Sequence, residues 1–217
     1  MLSFRTLIDT FRSMHTKIIS RWILYSRNIE CFDTPTIRGT SFIRNSGRCK
    51  LGRNVLIRSG YKHNSTGLKS GGFILIVERG AMVSIGDNVG ISNSTIYCKQ
   101  SIIIGNNTLI GTDCKIYDSD FHSTNHENRA ARPEIPGKCS PVEIGSDVFI
   151  GTGVIILKGV KIGDRSVIGA GSVVSTLVPP DELWCGNPAR KIRVLENEAV
   201  RSRNLSDYNC KERRSND

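Results

Sequence analysis

The sequence predicts an all-β solenoid with three-sided coils. Three observations predict it: an aliphatic-glycine pair recurring at multiples of six residues, a polar turn tripeptide after many of those pairs, and a composition rich in glycine but poor in aromatics. Ile85-Gly86 and Val89-Gly90-Ile91 open the recurrence, and Ile104-Gly105, Ile110-Gly111, Ile144-Gly145, Ile150-Gly151, Ile162-Gly163 and Ile168-Gly169 carry it on. A six-residue period suits neither an amphipathic helix nor a long flat strand. It suits a solenoid in which each hexad supplies one short strand and one corner, three hexads closing a triangular coil with the aliphatic residue pointing inward. The tripeptides Gly86-Asp87-Asn88, Gly105-Asn106-Asn107, Gly145-Ser146-Asp147 and Gly163-Asp164-Arg165 are corner chemistry, because these residue types tolerate left-handed backbone angles. With 21 glycines and 6% aromatics in 217 residues, the core falls to Ile, Val and Leu.

Three segments stand outside the repeat. Residues 1–36 form an N-terminal segment in which Phe4, Leu7, Ile8, Phe11, Ile18, Trp22 and Ile23 fall at helical spacing among Arg5, Arg12, Lys17, Arg21 and Arg27. One or two helices are expected there, packed on the solenoid or its oligomer, with a basic amphipathic membrane-surface anchor as the alternative. The coils are expected over 37–178, interrupted from about 118 to 141 by a polar stretch with three prolines, after which the repeat resumes at Ile144. That interruption is an inserted loop, and long loops on a rigid scaffold often carry function. At Pro179-Pro180 the coil is expected to end, leaving 179–217 as a C-terminal extension that runs through Gly186-Asn187-Pro188 into a partly helical, frayed tail.

Composition narrows the function classes. The seven cysteines include no CxxC pair and are odd in number, which fits neither a disulfide framework nor a zinc site and points to the cytoplasm. Near the N-terminus the longest apolar run is Trp22-Ile23-Leu24-Tyr25, far short of a signal peptide or a membrane span. The formal charge of +10 is uneven: between Asp33 and Glu78 stand Arg38, Arg44, Arg48, Lys50, Arg53, Arg58, Lys62 and Lys69 with no acidic residue. A solvated face, a phosphate-bearing substrate and an acidic membrane surface all fit that block. Nucleic acid is not expected as a partner, since no helix-turn-helix, zinc finger or RNP-like motif accompanies the charge.

Two of the four histidines, His122 and His126, sit in the inserted loop; the others are His15 and His63. An unperturbed imidazole titrates near ~6.5, so His122, in Asp118-Ser119-Asp120-Phe121-His122-Ser123, is the leading proton-transfer candidate. Asp118, Asp120 and Glu127 are the nearby carboxylates able to fix its tautomer. Cys98, Cys114 and Cys139 have no histidine beside them in sequence and read as small core fillers rather than nucleophiles. His122 and His126 offer two metal ligands, but His63 and His15 lie far away in sequence, so no metal is expected.

From Pro141-Val142-Glu143-Ile144-Gly145 through Val148-Phe149-Ile150-Gly151, Val160-Lys161-Ile162-Gly163-Asp164, Ile168-Gly169-Ala170-Gly171-Ser172-Val173-Val174 and Gly186-Asn187-Pro188-Ala189-Arg190, the chain resembles the hexapeptide-repeat acyltransferases. The nearest type is that of the maltose and galactoside O-acetyltransferases and the related capsular and lipopolysaccharide O-acetyltransferases. The resemblance spans roughly 80–193. It implies a left-handed parallel β-helix, a homotrimer with sites between subunits, and acetyl-CoA as co-substrate. It further implies that His122 is the catalytic histidine and that Asn93 contacts the acceptor sugar; Asp118 and Glu127, from their place beside His122 in the loop, are expected on the substrate side with Asn93. Gly151, Thr152, Ala170 and Ser175 would line the pantetheine arm, and Arg190 and Arg193 the adenosine phosphates. The chain departs from the type at Phe149, where tryptophan is common, in a longer stretch between His122 and Phe149, and in its N-terminal portion. The expected activity is O-acetylation of a sugar hydroxyl in surface-polysaccharide assembly, with a saccharide acceptor, anionic or lipid-linked, and peripheral contact with the inner membrane. The competing readings are a xenobiotic acetyltransferase of the same fold, a γ-carbonic-anhydrase-like metal enzyme, and a non-catalytic scaffold.

Overall fold

The computed structural model describes residues 21–22, 24–60, 71–130 and 137–195. The helical spacing of the first twenty residues, His15, Lys62, His63, Lys69 and the charged residues after 195 lie outside them. Within the described residues the chain winds into six coils of three strands. The first is β1 (Glu30–Cys31), β2 (Thr36–Arg38) and β3 (Ser41–Asn45), and the second β4 (Arg48–Leu51), β5 (Leu56–Arg58) and β6 (Phe73–Val77). The third is β7 (Met82–Ile85), β8 (Gly90–Ser92) and β9 (Thr95–Cys98), and the fourth β10 (Ser101–Ile104), β11 (Leu109–Ile110) and β12 (Lys115–Tyr117). The fifth is β13 (Val142–Ile144), β14 (Phe149–Ile150) and β15 (Ile155–Ile156), and the sixth β16 (Lys161–Ile162), β17 (Val167–Ile168) and β18 (Val173–Val174). Each strand pairs in parallel with its counterpart one coil away, giving three flat faces: β1-β4-β7-β10-β13-β16 (face 1), β2-β5-β8-β11-β14-β17 (face 2) and β3-β6-β9-β12-β15-β18 (face 3). The solenoid thus begins at Glu30, ahead of the boundary at 37 expected from the repeat.

The aliphatic residue of each hexad fills the prism. Leu51, Ile85, Ile104, Ile144 and Ile162 stack in register inside face 1. Inside face 2 the stack is Ile37, Ile57, Ile91, Ile110, Ile150 and Ile168. Inside face 3 it is Ile43, Leu75, Ile96, Ile116, Ile156 and Val174. All are buried, each worth roughly 1.5–3 kcal/mol relative to exposure. The inserted loop leaves this register intact, because Ile104 and Ile144 are directly paired across it.

The corners between faces 1 and 2 separate two jobs that the sequence reading had merged. The left-handed residue is the third of each tripeptide: Asn88, Asn107, Asp147 and Arg165 have φ of 57–59°. Their side chains form a ladder along the edge, Asn54 to Asn88 at 3.2 Å, Asn88 to Asn107 at 3.0 Å and Asn107 to Asp147 at 2.9 Å. The glycine of the tripeptide serves stacking instead: a Cβ on Gly105 would stand 2.5 Å from the carbonyl carbon of Gly145 and 2.6 Å from the amide nitrogen of Ser146. Gly105→Ala therefore forces two coils apart and is expected to cost about 1–3 kcal/mol, read as a lower thermal unfolding midpoint.

After Pro179-Pro180 the described residues, which end at 195, form a hairpin, and the partly helical tail expected further on lies outside them. Glu182–Gly186 (β19) adds in parallel to β17, and Ala189–Val194 (β20) returns antiparallel to it. This hairpin extends face 2 at the C-terminal end of the prism. It is pinned by Glu182, which accepts from Trp184 Nε1 at 2.7 Å and pairs with Lys191 at 2.5 Å. Lys191 and Trp184 together hold the Glu182 carboxyl below its ordinary pKa. No helix among the described residues is long and apolar enough to cross a membrane.

Candidate functional site

The loop that carries His122 leaves the edge between faces 3 and 1, directly after β12. Asp118 sets its root. This residue is completely buried, and its carboxylate accepts from the backbone N–H groups of Lys99 at 2.8 Å, Gln100 at 2.7 Å and Ser101 at 2.9 Å, with Cys98 Sγ at 3.3 Å. Its backbone carbonyl accepts from Ser140, so both ends of the loop close on one residue. The closure continues outward as Asp120 N–H donates to Lys138 and Gly137 N–H to Phe121. Glycine is required at 137, since a Cβ there would lie 2.6 Å from the carbonyl oxygen of His122. Lys158, one coil on at the same edge, holds the Asp120 carboxylate at 2.8 Å.

Phe121 then turns the chain. Its φ of 63° is a left-handed conformation that bulky residues seldom adopt. Its ring lies against two tyrosines stacked on face 3, 4.7 Å from Tyr97 and 5.1 Å edge-on from Tyr117. Tyr97 is itself fixed by donating to Glu78 at 3.1 Å; burial first, then that bond, lift its pKa to about 12. Strained backbone held by packing clusters at functional sites, and the residue it presents next is the exposed imidazole of His122. Phe121→Ala removes two ring contacts, about 0.5–1.5 kcal/mol each. Faster amide hydrogen exchange through 119–122, with the coils unchanged, is the expected result.

The carboxylates expected to orient His122 are placed otherwise. Asp118 is spent inside the prism, which corrects its assignment to the substrate-side set: a carboxylate saturated by three backbone donors has nothing to offer a substrate. Asp120 is paired with Lys158. Glu127 lies exposed in the first turn of a short helix, α1 (His126–Ala130), whose start is capped by Asn125 Oδ1 accepting from Glu127 N–H at 2.8 Å. His122 itself makes no side-chain hydrogen bond among the described residues.

The other expected site residues gather on a different edge, between faces 2 and 3. Asn93, Thr152 and Ala170 each sit two residues past the paired Ile91, Ile150 and Ile168, so with Thr112 they form one column down successive coils. At about 4.8 Å per coil the column is roughly 14 Å long. Asn93 is 94% buried with φ of 43°, and its Oδ1 accepts from Gly60 N–H at 2.9 Å, so it also shapes its own corner. Beside the column's lower end, Cys185 lies below Gly169, and its strand partner is Arg190. Arg190 and Arg193 are both exposed on β20. Ser175 is not brought to this column: it follows β18 on the edge that carries the loop.

At the column's lower end the outward side of Gly171 is open, with nothing within 4 Å of an added Cβ. Gly151 plays a different part from the one expected. A Cβ there would meet Ala170 N at 2.6 Å, so glycine is needed for coil stacking and not to leave room for a ligand. Among the described residues no group of three or more His, Cys, Asp or Glu is arranged to hold a metal. Cys98 and Cys114 are buried, and burial above all raises their thiol pKa, which leaves them poor nucleophiles. Phe121, Lys158, Gly137 and the tyrosine pair were not found from the sequence; the aromatic immediately before the loop histidine was the available signal.

Comparison with known proteins places this arrangement. The family described as bacterial transferase hexapeptide (six repeats) matches residues 141–176. A Staphylococcus aureus strain MRSA252 protein named for acetyl transfer is 40% identical over 139 residues, covering 56% of this chain and 69% of its own. Galactoside O-acetyltransferase of Escherichia coli K12 is 36% identical over 130 residues, covering 59% and 62% respectively. A Schizosaccharomyces pombe protein, also named for acetyl transfer, is 41% identical over 106 residues, and the chain spans about half of its length, 49%. Among solved structures, a hexapeptide-repeat acetyltransferase of Vibrio cholerae O1 biovar eltor in complex with acetyl coenzyme A aligns over 90% of this chain and 92% of its own with 25% identity and a TM-score of 0.52. A maltose O-acetyltransferase of Clostridium difficile 630 aligns over 82% and 75% with 25% identity and a TM-score of 0.55. The architecture expected from the repeat and the resemblance, a left-handed parallel β-helix, is the one found.

Proposed function

The chain belongs to the bacterial transferase hexapeptide family, and from that premise we propose that it is an acetyl-CoA-dependent O-acetyltransferase acting on a sugar hydroxyl. The observation that supports the reading is an exposed imidazole on a loop held by packing, in a prism whose next edge bears a column of small corner residues with Arg190 beyond its end. Acetyl-CoA lies along that column, its thioester toward Asn93 and Thr152 and its phosphates toward Arg190 and Arg193. The relative crystallised with acetyl coenzyme A and the galactoside and maltose O-acetyltransferases support the donor and the reaction class.

His122 and the column stand on different edges of one prism, which fits a homotrimer in which the loop of one copy meets the column of the next. There His122 Nε2 takes the proton of the acceptor hydroxyl as its oxygen attacks the thioester carbonyl. The same nitrogen returns the proton to the departing sulfur, so the C–S bond breaks, the C–O bond forms and no group is left on the protein. A corner N–H of the column meets the carbonyl oxygen as charge develops on it, a contact worth about 2.7–4 kcal/mol in comparable sites. Glu127, exposed on α1, belongs to the acceptor side. The acceptor is a glycan under assembly at the cytoplasmic side of a membrane.

Calorimetric titration of acetyl-CoA into the purified full chain, with sedimentation to count subunits, tests the reading. Stoichiometric binding to a trimer, followed by acetyl transfer to a sugar in an acceptor panel, is expected. Failure to bind acetyl-CoA overturns it.

A further inference from the structure

The outer surface of face 2 flanks the column from the second coil to the fifth, and its composition is unusual. Leu56, Gly90, Leu109 and Phe149 follow one another in strand register, each on the next coil. Leu109 is 53% and Phe149 51% exposed. Gly90 has no side chain, and Leu109 leans over it, its Cδ2 2.9 Å from where a Cβ would stand; these residues line a shallow groove of about 370 Å³. Arg58 and Ser92, which pair with one another two residues along, form the margin of the groove, and Asn93 follows immediately.

Arg38 is paired directly with Arg58 on the coil before. Like charges on residues paired directly across a ladder about 4.8 Å wide repel. Within the basic block Arg44 is answered by Glu78, Lys50 by Glu30 and Arg53 by Asp87, while Arg48, on face 1, has no ion pair among the described residues. Arg38 and Arg58 are exposed and have no such partner among the described residues. An exposed arginine pair without ion-pair partners beside an apolar trough is complementary to a ligand with an anionic group at one end and a ring to lay on Leu56 and Leu109, over Gly90.

We infer that this groove receives the acceptor, and that the acceptor is an anionic saccharide whose carboxylate or phosphate is bound by Arg58 and Arg38. The inference rests on the transferase reading above and adds the substrate class. It places the sugar ring on the apolar floor, with a hydroxyl beside Asn93 where the donor column begins. The basic pair, one and two coils further from the donor, then selects by charge without touching the reacting atoms.

The test is calorimetric titration of galactose 1-phosphate, galacturonate and galactose into the full chain saturated with CoA, so that the donor column is filled and its arginines are occupied. Both anionic sugars, or one of them, are expected to bind at least about tenfold tighter than galactose, and the stronger of the two identifies the anion. Arg58→Gln, and independently Arg38→Gln, should remove most of that preference while leaving galactose binding and the melting temperature unchanged. Arg48→Gln, which removes the same charge from face 1, should leave all three affinities as they were. Equal binding of neutral and anionic sugars, no binding of any of them, or equal damage from Arg48→Gln and Arg58→Gln overturns the inference. Binding of CoA itself, measured first, is the separate test of the transferase reading.

Discussion

Replacing His122 with alanine is expected to lower turnover by about 10²–10⁴-fold while acetyl-CoA affinity, subunit number and melting temperature stay at their wild-type values. The separation follows from the structure. The imidazole is exposed and makes no side-chain hydrogen bond among the described residues, so its loss removes nothing from the fold. The loop that presents it is held by other means, namely the Phe121 rings on Tyr97 and Tyr117, the Lys158 ion pair to Asp120, and the backbone closure onto 137–140. The attacking hydroxyl then keeps its proton into the transition state, and no side chain takes His122's place at that position. Steady-state kinetics with acetyl-CoA and a responsive acceptor, beside calorimetry on the same sample, reads both halves of the expectation. A variant that turns over at the wild-type rate would remove His122 from the mechanism.

Asp118→Ala is expected to do the reverse, destabilising the fold by about 3 kcal/mol. Three backbone donors, on Lys99, Gln100 and Ser101, converge on this one buried carboxylate. Each buried donor left without an acceptor costs about 1–3 kcal/mol, partly relieved where water enters the new space. For a chain of this size that corresponds to a melting point lower by about 6–12 °C. Asp118→Asn, which keeps one carbonyl oxygen, should fall between the alanine variant and wild type. Turnover falls as well, because the residue roots the His122 loop, whereas acceptor KM at permissive temperature should hold. Had Asp118 been a substrate contact, the alanine variant would melt with the wild type and show the whole loss in KM. That outcome would overturn the structural role assigned to it.

The two variants illustrate how differently the parts of the site were legible. His122 stood out because a proton-transfer group in a polar insertion interrupts a pattern that is otherwise strictly periodic. Asp118, four residues earlier in the same insertion, looked equally like a site residue. Its three partners lie 17–19 residues back, on the preceding coil edge, and nothing in the local sequence announces them. Ser175 and Ala170 are close in sequence and were expected to line the same donor arm. A hexad separates successive edges, and five residues are enough to carry the chain across face 3 to the next one. Gly151 was read as space for a ligand, but that space is occupied by the backbone of Ala170 on the next coil.

The sequence by itself determined the coil. In a solenoid every core contact joins a residue to its equivalent one turn later, so the long-range packing of Ile104 on Ile144 and Ile162 is written locally as a six-residue recurrence. The tertiary structure alone decided what the residues outside that recurrence do: which edge each reaches, which carboxylates are consumed by backbone donors, and which arginines are left unanswered beside an apolar trough. The physical reason is that hydrogen bonding and ion pairing depend on the two or three groups actually within reach. For residues off the repeat, the winding of the prism brings those groups from distances the period does not specify.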